Sequence, residues 1–410
     1  MALNYVWIAF FLVSFVVALI KLIFFQDYAI FQTMVNSTFD MSKTAAELSL
    51  GLVGIMTFWL GIMKIGEKGG MIQIFAKIVG PFFHKIFPEI PKNHPAFGSI
   101  LMNFSANMLG LDNAATPLGL KAMKELQELN PNKETASNAQ IMFLVLNASS
   151  LVLIPTSIMA FRKASGAVNP SDIFVPCMIA TFFSTLVGLI ATSIYQKINL
   201  FQKTILLYLG AIAVFIFGLL YYFTTISQEQ IELVSNVFGN TLLFTIIISF
   251  ITLALFKKVN VFETFIDGAK EGFDVAIKII PYLVGLLVAI GVLRGSGVLD
   301  FLTQGIGSLF ALLGMDTSFV PALPVAFMKP LSGGGARGLM VELMKNSGAD
   351  SFPSRVACVI QGSTETTFYV LAVYFGSVSI KKTRHALPAA LLAELAGIIA
   401  AIIISYIFFK

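Results

Sequence analysis

The chain has 410 residues, 57% of them hydrophobic and only 12% charged, with a mean hydropathy of +0.86. Ordinary soluble domains carry about 25% charged residues, so this composition excludes a water-soluble enzyme and points to a polytopic membrane protein. The net charge of +5 comes from basic residues scattered singly through loops, which excludes a nucleic-acid-binding surface.

In chain order, the length rule predicts about nine crossings of a hydrocarbon core. They are Leu3–Phe25, Glu47–Ile65, Ala139–Phe161, Ile173–Tyr195, Thr204–Phe223, Leu233–Phe256, Gly272–Leu293, Val356–Val378 and Leu387–Phe409. The first is apolar for too long to be a cleaved signal and lacks both a basic leader and a small-residue cleavage site, so it reads as a retained helix. Cys177 and Cys358 fall inside predicted spans and imply neither disulfide nor zinc. His84, His94 and His385 are too scattered to ligate a metal.

Two long regions, Gly66–Asn138 and Arg294–Arg355, are apolar in pieces but broken by Gly, Pro, Asn and Asp. They resemble each other. Ile65–Phe83 aligns without gaps on Val292–Phe310, pairing Gly70 with Gly297, Gly80 with Gly307 and Phe83 with Phe310. Further on, Met123, Glu125 and Leu126 pair with Met340, Glu342 and Leu343. The chain therefore reads as two diverged halves, residues 1–200 and 201–410.

Loop charge sets their orientation. Lys197, Lys203, Lys257, Lys258, Lys270 and the run Lys381, Lys382, Arg384 read as cytoplasmic, and the loop with Glu229 and Glu232 as external. The two broken regions are then re-entrant from opposite faces, an inverted repeat with the N-terminus inside and the C-terminus outside. Lys21, Arg162 and Lys163 run against this pattern.

Irregular backbone at membrane depth persists only where protein encloses it or where it lines a polar cavity. The stretch Asn103–Pro117 is such a place, with Asn103, Asn107, Asp112, Asn113 and Thr116 as candidate solute contacts. Pro117 suits the first turn of a helix with Asp112 or Asn113 as its cap, presenting free amides to a polar or anionic group. The second half repeats the device as Lys329–Gly338, where Ser332 and Arg337 are the candidates. No Lys-Ser/Thr pair follows its glycines, so it is not a nucleotide-binding P-loop. The alternative is a helix-capping turn with Lys329 and Arg337 paired to Glu342.

After each break comes a span with a polar centre: Asn147, Ser149 and Ser150 in one, and Gln361, Ser363, Thr364 and Glu365 in the other. A carboxylate inside a span costs about 2.5 kcal/mol or more, so Glu365 requires a partner, a proton, a cation or a cavity. Glu394 in the last span is a weaker candidate of the same kind. Hydrolase and metalloprotease signatures are missing, which argues against an enzyme.

The stretches Gly362–Leu387 and Lys329–Met340 strongly resemble spore maturation protein B. Leu111–Gln127 and the run from Asn147 to Arg162 resemble spore maturation protein A, so the chain resembles a natural A/B fusion joined near Asn199–Lys203. That group carries the nucleoside-recognition, or Gate, domain and is similar to concentrative nucleoside transporters and the ferrous iron transport protein B. The resemblance implies helical hairpins and broken helices around a central polar site, in a bacterial cytoplasmic membrane. It does not carry a sporulation role with it.

The sequence thus predicts an all-α membrane protein with two re-entrant regions, which binds a polar small solute at the midplane between inverted halves. In that reading Asn103, Asn107, Asp112, Asn113, Thr116 and Asn147 face Ser332, Arg337, Gln361, Ser363, Thr364 and Glu365. No cofactor or metal is expected, and Glu365 would hold a coupling proton or sodium ion. Lipid surrounds the chain, and Ala393, Gly397 and Ala400 offer a small-residue face for helix contacts within or between protomers. The rival reading is a non-transporting receptor or scaffold of the cell envelope.

Overall fold

A computed structural model describes residues 2–91, 93–109 and 112–410. The first long helices are α1 (Ala2–Phe24) and α2 (Ile30–Gly69). Then come α3 (Met71–Ile86), α4 (Pro95–Met108), α5 (Asp112–Leu129), α6 (Asn138–Ser149), α7 (Thr156–Ala164) and α8 (Phe174–Gln196). The later chain forms α9 (Lys203–Thr225), α10 (Gln228–Phe256), α11 (Val261–Gly295), α12 (Val298–Leu312), a 3₁₀ turn (Val320–Ala322) and α13 (Leu323–Met328). It ends with α14 (Gly333–Ser347), α15 (Phe352–Ser363), α16 (Thr367–Ser377) and α17 (Ala386–Phe409). Among the described residues there is no strand, only one isolated bridge between Thr135 and Lys382.

Among the described residues, seven helical stretches are long and apolar enough to cross a membrane, and an eighth results if the pair Leu283–Gly295 and Val298–Leu312, bent by 68°, counts as one span. The predicted span Ala139–Phe161 is instead the separate helices α6 and α7 with residues 150–155 non-helical between them. Ser150 ends α6 in a left-handed conformation (φ 39°), uncommon outside glycine. Helices α2 and α11 run well beyond their predicted apolar windows, to 40 and 35 residues.

Local sequence explains the ends. Ser137 with Gln140, and Ser227 with Gln230, form reciprocal caps at the starts of α6 and α10. His94 precedes Pro95 and accepts from the Ala96 amide at the start of α4. Pro117, expected in a first turn, lies inside α5, because that helix begins at Asp112.

The paired Gly70 and Gly297 both hold left-handed backbone (φ 88° and 84°), stopping α2 and α11 and starting α3 and α12. Only glycine adopts this without strain. A lysine packs on each: a Cβ at Gly70 would stand 2.1 Å from the Lys257 ammonium, and one at Gly297 would stand 2.5 Å from that of Lys21.

Contacts divide the chain into two compact units. The first comprises Met1–Trp59, Ser157–Pro170 and Ala269–Gln361, and the second Leu60–Thr156, Ser171–Gly268 and Gly362–Lys410. Each draws helices from both halves of the sequence. In the first unit, α11 lies tightly on α2, since a Cβ at Gly291 would press on Met41 and Ser37. Arg162 is fully buried there and ion-pairs with Asp350 at 2.8 Å. Lys21 and Arg162, which run against the loop-charge pattern, are thus each engaged by a specific neighbour.

In the second unit, Phe83, Phe104, Met123 and Phe143 centre a packed core from α3 to α6. Helix α17 lies on α8 through small residues: a Cβ at Gly188 would meet Ala393 at 3.0 Å, and one at Gly397 would meet Ser184 at 3.0 Å. Close backbone approach supplies the dispersion contacts that hold helices together in lipid, where the hydrophobic effect does not act between them. The small-residue face of α17 is therefore used inside the chain.

Candidate polar site at the helix breaks

In the second unit, the last turn of α6 gathers the polar groups. Asn147 is buried, and its Oδ1 accepts from the Asn107 amide at 2.8 Å and from the Tyr374 hydroxyl at 3.3 Å. Its own amide donates to the Phe143 carbonyl at 2.9 Å. Tyr374 reaches this position because Gly119 has no side chain: a Cβ there would stand 2.4 Å from the hydroxyl. Asn103 is fully buried and donates to the Ala115 carbonyl at 2.8 Å. Its Oδ1 has no hydrogen-bond partner among the described residues.

The second break follows α15. Residues 364–366 are non-helical and rich in threonine, whose hydroxyl competes for backbone bonds. Glu365 donates its backbone amide to the Ala148 carbonyl at 2.8 Å, so the two interruptions are joined. Its side chain is half-buried. Thr364 is buried, and its hydroxyl lacks a partner among the described residues. Thr367 opens α16 and donates to Glu394 at 2.6 Å, inside the protein.

In the first unit, Ser332 caps α14 by accepting the Gly335 amide at 3.0 Å, so the glycine run is the first turn of a helix, not a loop. Lys329 is buried and donates to the Gln361 carbonyl at 2.9 Å, placing a positive charge at the C-terminal end of α15. Gln361 is buried and its Oε1 has no partner among the described residues. Arg337 stacks over the Phe161 ring at 5.4 Å. Glu342 pairs with Arg294, whose Nη2 lies 3.1 Å away, and not with Lys329 or Arg337 in the capping-turn alternative.

Of the predicted residues, the second unit therefore brings Asn107 and Asn147 into contact. It also places Ser363, Thr364 and Glu365 in or beside the second break, whereas Asn103 and Asn107, expected on irregular backbone, lie within helix α4, and Thr116 is half-buried on α5. The first unit holds Ser332, Arg337 and Gln361 around the start of α14 and the end of α15. The side chains of Asp112 and Asn113 lie outside the described residues. Tyr374 is an addition the sequence did not reveal, since its apolar span hides it. The signal available was Gly119, in a helix that has no other reason to lack a side chain.

The Gate family, described as nucleoside recognition, matches residues 49–165 and 276–381, more than half of the chain and both breaks. This chain belongs to the Gate family. It is also similar to spore maturation protein A of Bacillus subtilis (strain 168), 41% identical over 181 residues that cover 44% of this chain and 89% of that protein. Spore maturation protein B of the same organism is 49% identical over 153 residues, covering 37% of this chain and 84% of that protein. The two Gate segments take in α6 and α15 together with the polar turns after them.

Proposed function

We propose that this Gate-family membrane protein is a secondary-transporter-like carrier that binds a polar small solute at its helix breaks. The observation that carries the reading is a pair of buried oxygens in the second unit without hydrogen-bond partners among the described residues, Asn103 Oδ1 and Thr364 Oγ1. An orphaned buried polar atom is costly, and a ligand at the breaks would supply the missing partner of these two. Asn103 Oδ1 is an amide carbonyl oxygen, which only accepts. It calls for a solute with hydroxyl or amine donors.

Nucleosides meet that description and are the class named by the family. Glu365 offers the solute a carboxylate, or holds a coupling proton or sodium ion. Broken helices near the middle of a bilayer, paired by an inverted repeat, are the usual setting of alternating access. The loop charges favour an N-terminus inside, and the similarity to Bacillus subtilis proteins supports a bacterial cytoplasmic membrane.

The test is uptake in proteoliposomes with a panel of nucleosides as probes. Glu365→Gln should abolish coupled uptake while membrane abundance holds. Equal uptake by wild type and variant removes Glu365 from the mechanism.

The names of the spore maturation relatives favour a second reading, a non-transporting receptor or scaffold. In that case neutralising Glu365 and Arg337 leaves cellular function intact, whereas altering an exposed surface destroys it.

A further inference from the structure

A groove of about 550 Å³ lies between α3 and α10 in the second unit, lined by Met71, Ile74, Phe244, Ile248, Ser249 and Leu253 among others. Ile74, Phe244 and Ile248 are exposed large apolar residues. Helix α10 contributes Val237–Phe256 as a candidate membrane span, so the groove opens toward hydrocarbon.

Its α10 wall recurs every turn from Phe244 to Leu253, a rise of about 14 Å at roughly 1.5 Å per residue. That matches one leaflet of a hydrocarbon core roughly 30 Å thick. The Ser249 hydroxyl donates to the Thr245 carbonyl at 2.7 Å, so its bond is satisfied within the helix, and Thr245 and Thr252 add two more hydroxyls to a wall that Phe244, Ile248 and Leu253 make mainly apolar.

At one end the groove meets charge. Lys257 lies one turn beyond Leu253 and packs its ammonium on Gly70, the residue before Met71 of the opposite wall. Lys68 and Lys258 are exposed on the same two chain segments. The acidic neighbour, Glu67, is half-buried and paired with Lys64 at 3.3 Å. An apolar channel one leaflet long with an ammonium at its mouth has the shape and polarity of a lipid.

We propose that this groove holds an acyl chain of an anionic phospholipid, with the headgroup on Lys257 and the neighbouring Lys68 and Lys258. A helix of a second copy would lie against the same apolar wall but would bring no anion to the lysines.

The experiment is native mass spectrometry of the full chain extracted in mild detergent, scoring bound phosphatidylglycerol against phosphatidylcholine. Lys257→Gln should lower phosphatidylglycerol retention about fivefold, the worth of one lysine near an anionic surface. Ile248→Trp, which fills the groove, should lower retention of both lipids. Lys257→Arg should keep the wild-type ratio, and Lys203→Gln on α9 should leave it unchanged.

An unchanged ratio in Lys257→Gln overturns the proposal. So does a change of oligomeric mass in Ile248→Trp with lipid retention intact, which assigns the groove to a second copy. If Lys257→Gln does not accumulate, Phe244→Trp reports instead in vesicles of brominated phosphatidylglycerol or brominated phosphatidylcholine. Stronger quenching by the first lipid is expected, and equal quenching refutes an anionic-lipid site.

Discussion

The backbone amide of Glu365 donates to the carbonyl oxygen of Ala148 at 2.8 Å, tying the end of α6 to the gap between α15 and α16. Carbonyls in the last turn of a helix have no intrahelical partner, and neither do amides in an unwound segment. One bond therefore satisfies an orphan on each side. Glu365→Pro deletes the donor and should lower stability by about 1 to 3 kcal/mol. Glu365→Gln keeps the backbone bond and should stay within about 0.5 kcal/mol of wild type. Thermal unfolding in detergent separates the two, and equal melting of both variants would mean that the bond does not hold the breaks together.

The side chains beside that bond form a shared network, because Asn147 Oδ1 accepts from both Asn107 and Tyr374. Asn147→Ala should cost about 1 to 3 kcal/mol, since it leaves the Asn107 amide and the Tyr374 hydroxyl short of an acceptor. The double change with Asn107→Ala should cost less than the sum, with a coupling of about 0.5 kcal/mol or more. Additive losses in the double-mutant cycle would show that the two amides do not act as a pair.

Gly70 and Gly297 occupy equivalent elbows with left-handed backbone and a lysine ammonium packed on each. Alanine at either position should destabilise by about 1 to 2 kcal/mol from backbone strain alone, with the displaced lysine adding to it. Gly210 in α9 has open space where a Cβ would go, so Gly210→Ala should stabilise by about 0.5 to 1 kcal/mol. Chemical denaturation of the three variants gives the comparison. A neutral Gly297→Ala would break the equivalence of the two elbows.

His385 precedes α17, outside the span, with its ring stacked on Tyr195 at 4.9 Å and its Nε2 3.2 Å from the Gln196 amide nitrogen. Burial, and next the charge of Arg384, hold its pKa below the ordinary 6.5. The folded chain then binds fewer protons than the unfolded one, so stability rises with pH in that window. The contribution is fully present above pH 6.5 and is lost as pH falls through the folded value. Melting temperatures on either side of 6.5 should differ less in His385→Gln than in wild type. An identical acid limb in both proteins would rule out this histidine as its source.

Much of this architecture was legible because hydropathy and polarity change sharply along the chain. Asn147, Ser149 and Ser150, and then Gln361 to Glu365, announce polar centres in otherwise apolar runs, and both coincide with real interruptions. The sequence alignment paired Gly70 with Gly297, and both glycines turn out to hold left-handed backbone between helices. The full lengths of α2 and α11 were not legible, since a helix continues through polar residues that a hydropathy rule excludes. Nor was the exchange of helices between the halves, which rests on contacts such as Lys257 with Gly70 that lie far apart in sequence. Lys329 looked like a partner for Glu342, but only the fold shows that it caps α15 at Gln361.

Arg162 also had no evident place in the sequence, and its geometry gives it one. It is fully buried in the first unit, donating to the carbonyls of Ala349 at 2.8 Å and Asn169 at 3.2 Å, with Asp350 Oδ1 at 2.8 Å. Asp350 Oδ2 accepts the Val168 amide at 2.9 Å, so one ion pair fastens two loops, those after α7 and α14. Arg162→Met leaves behind an Asp350 carboxylate that is 30% exposed and still accepts the Val168 amide, so it should cost about 1 to 3 kcal/mol. Asp350→Asn keeps the hydrogen-bonding shape but strands the fully buried Arg162 charge, and should cost more, about 3 to 5 kcal/mol. In the double variant no charge is left to strand, and its loss should fall below the sum of the singles. Because the pair fastens loops, the double variant should restore melting toward that of Arg162→Met alone, and equal loss in the double variant and in Asp350→Asn would mean that the stranded charge is not the cause.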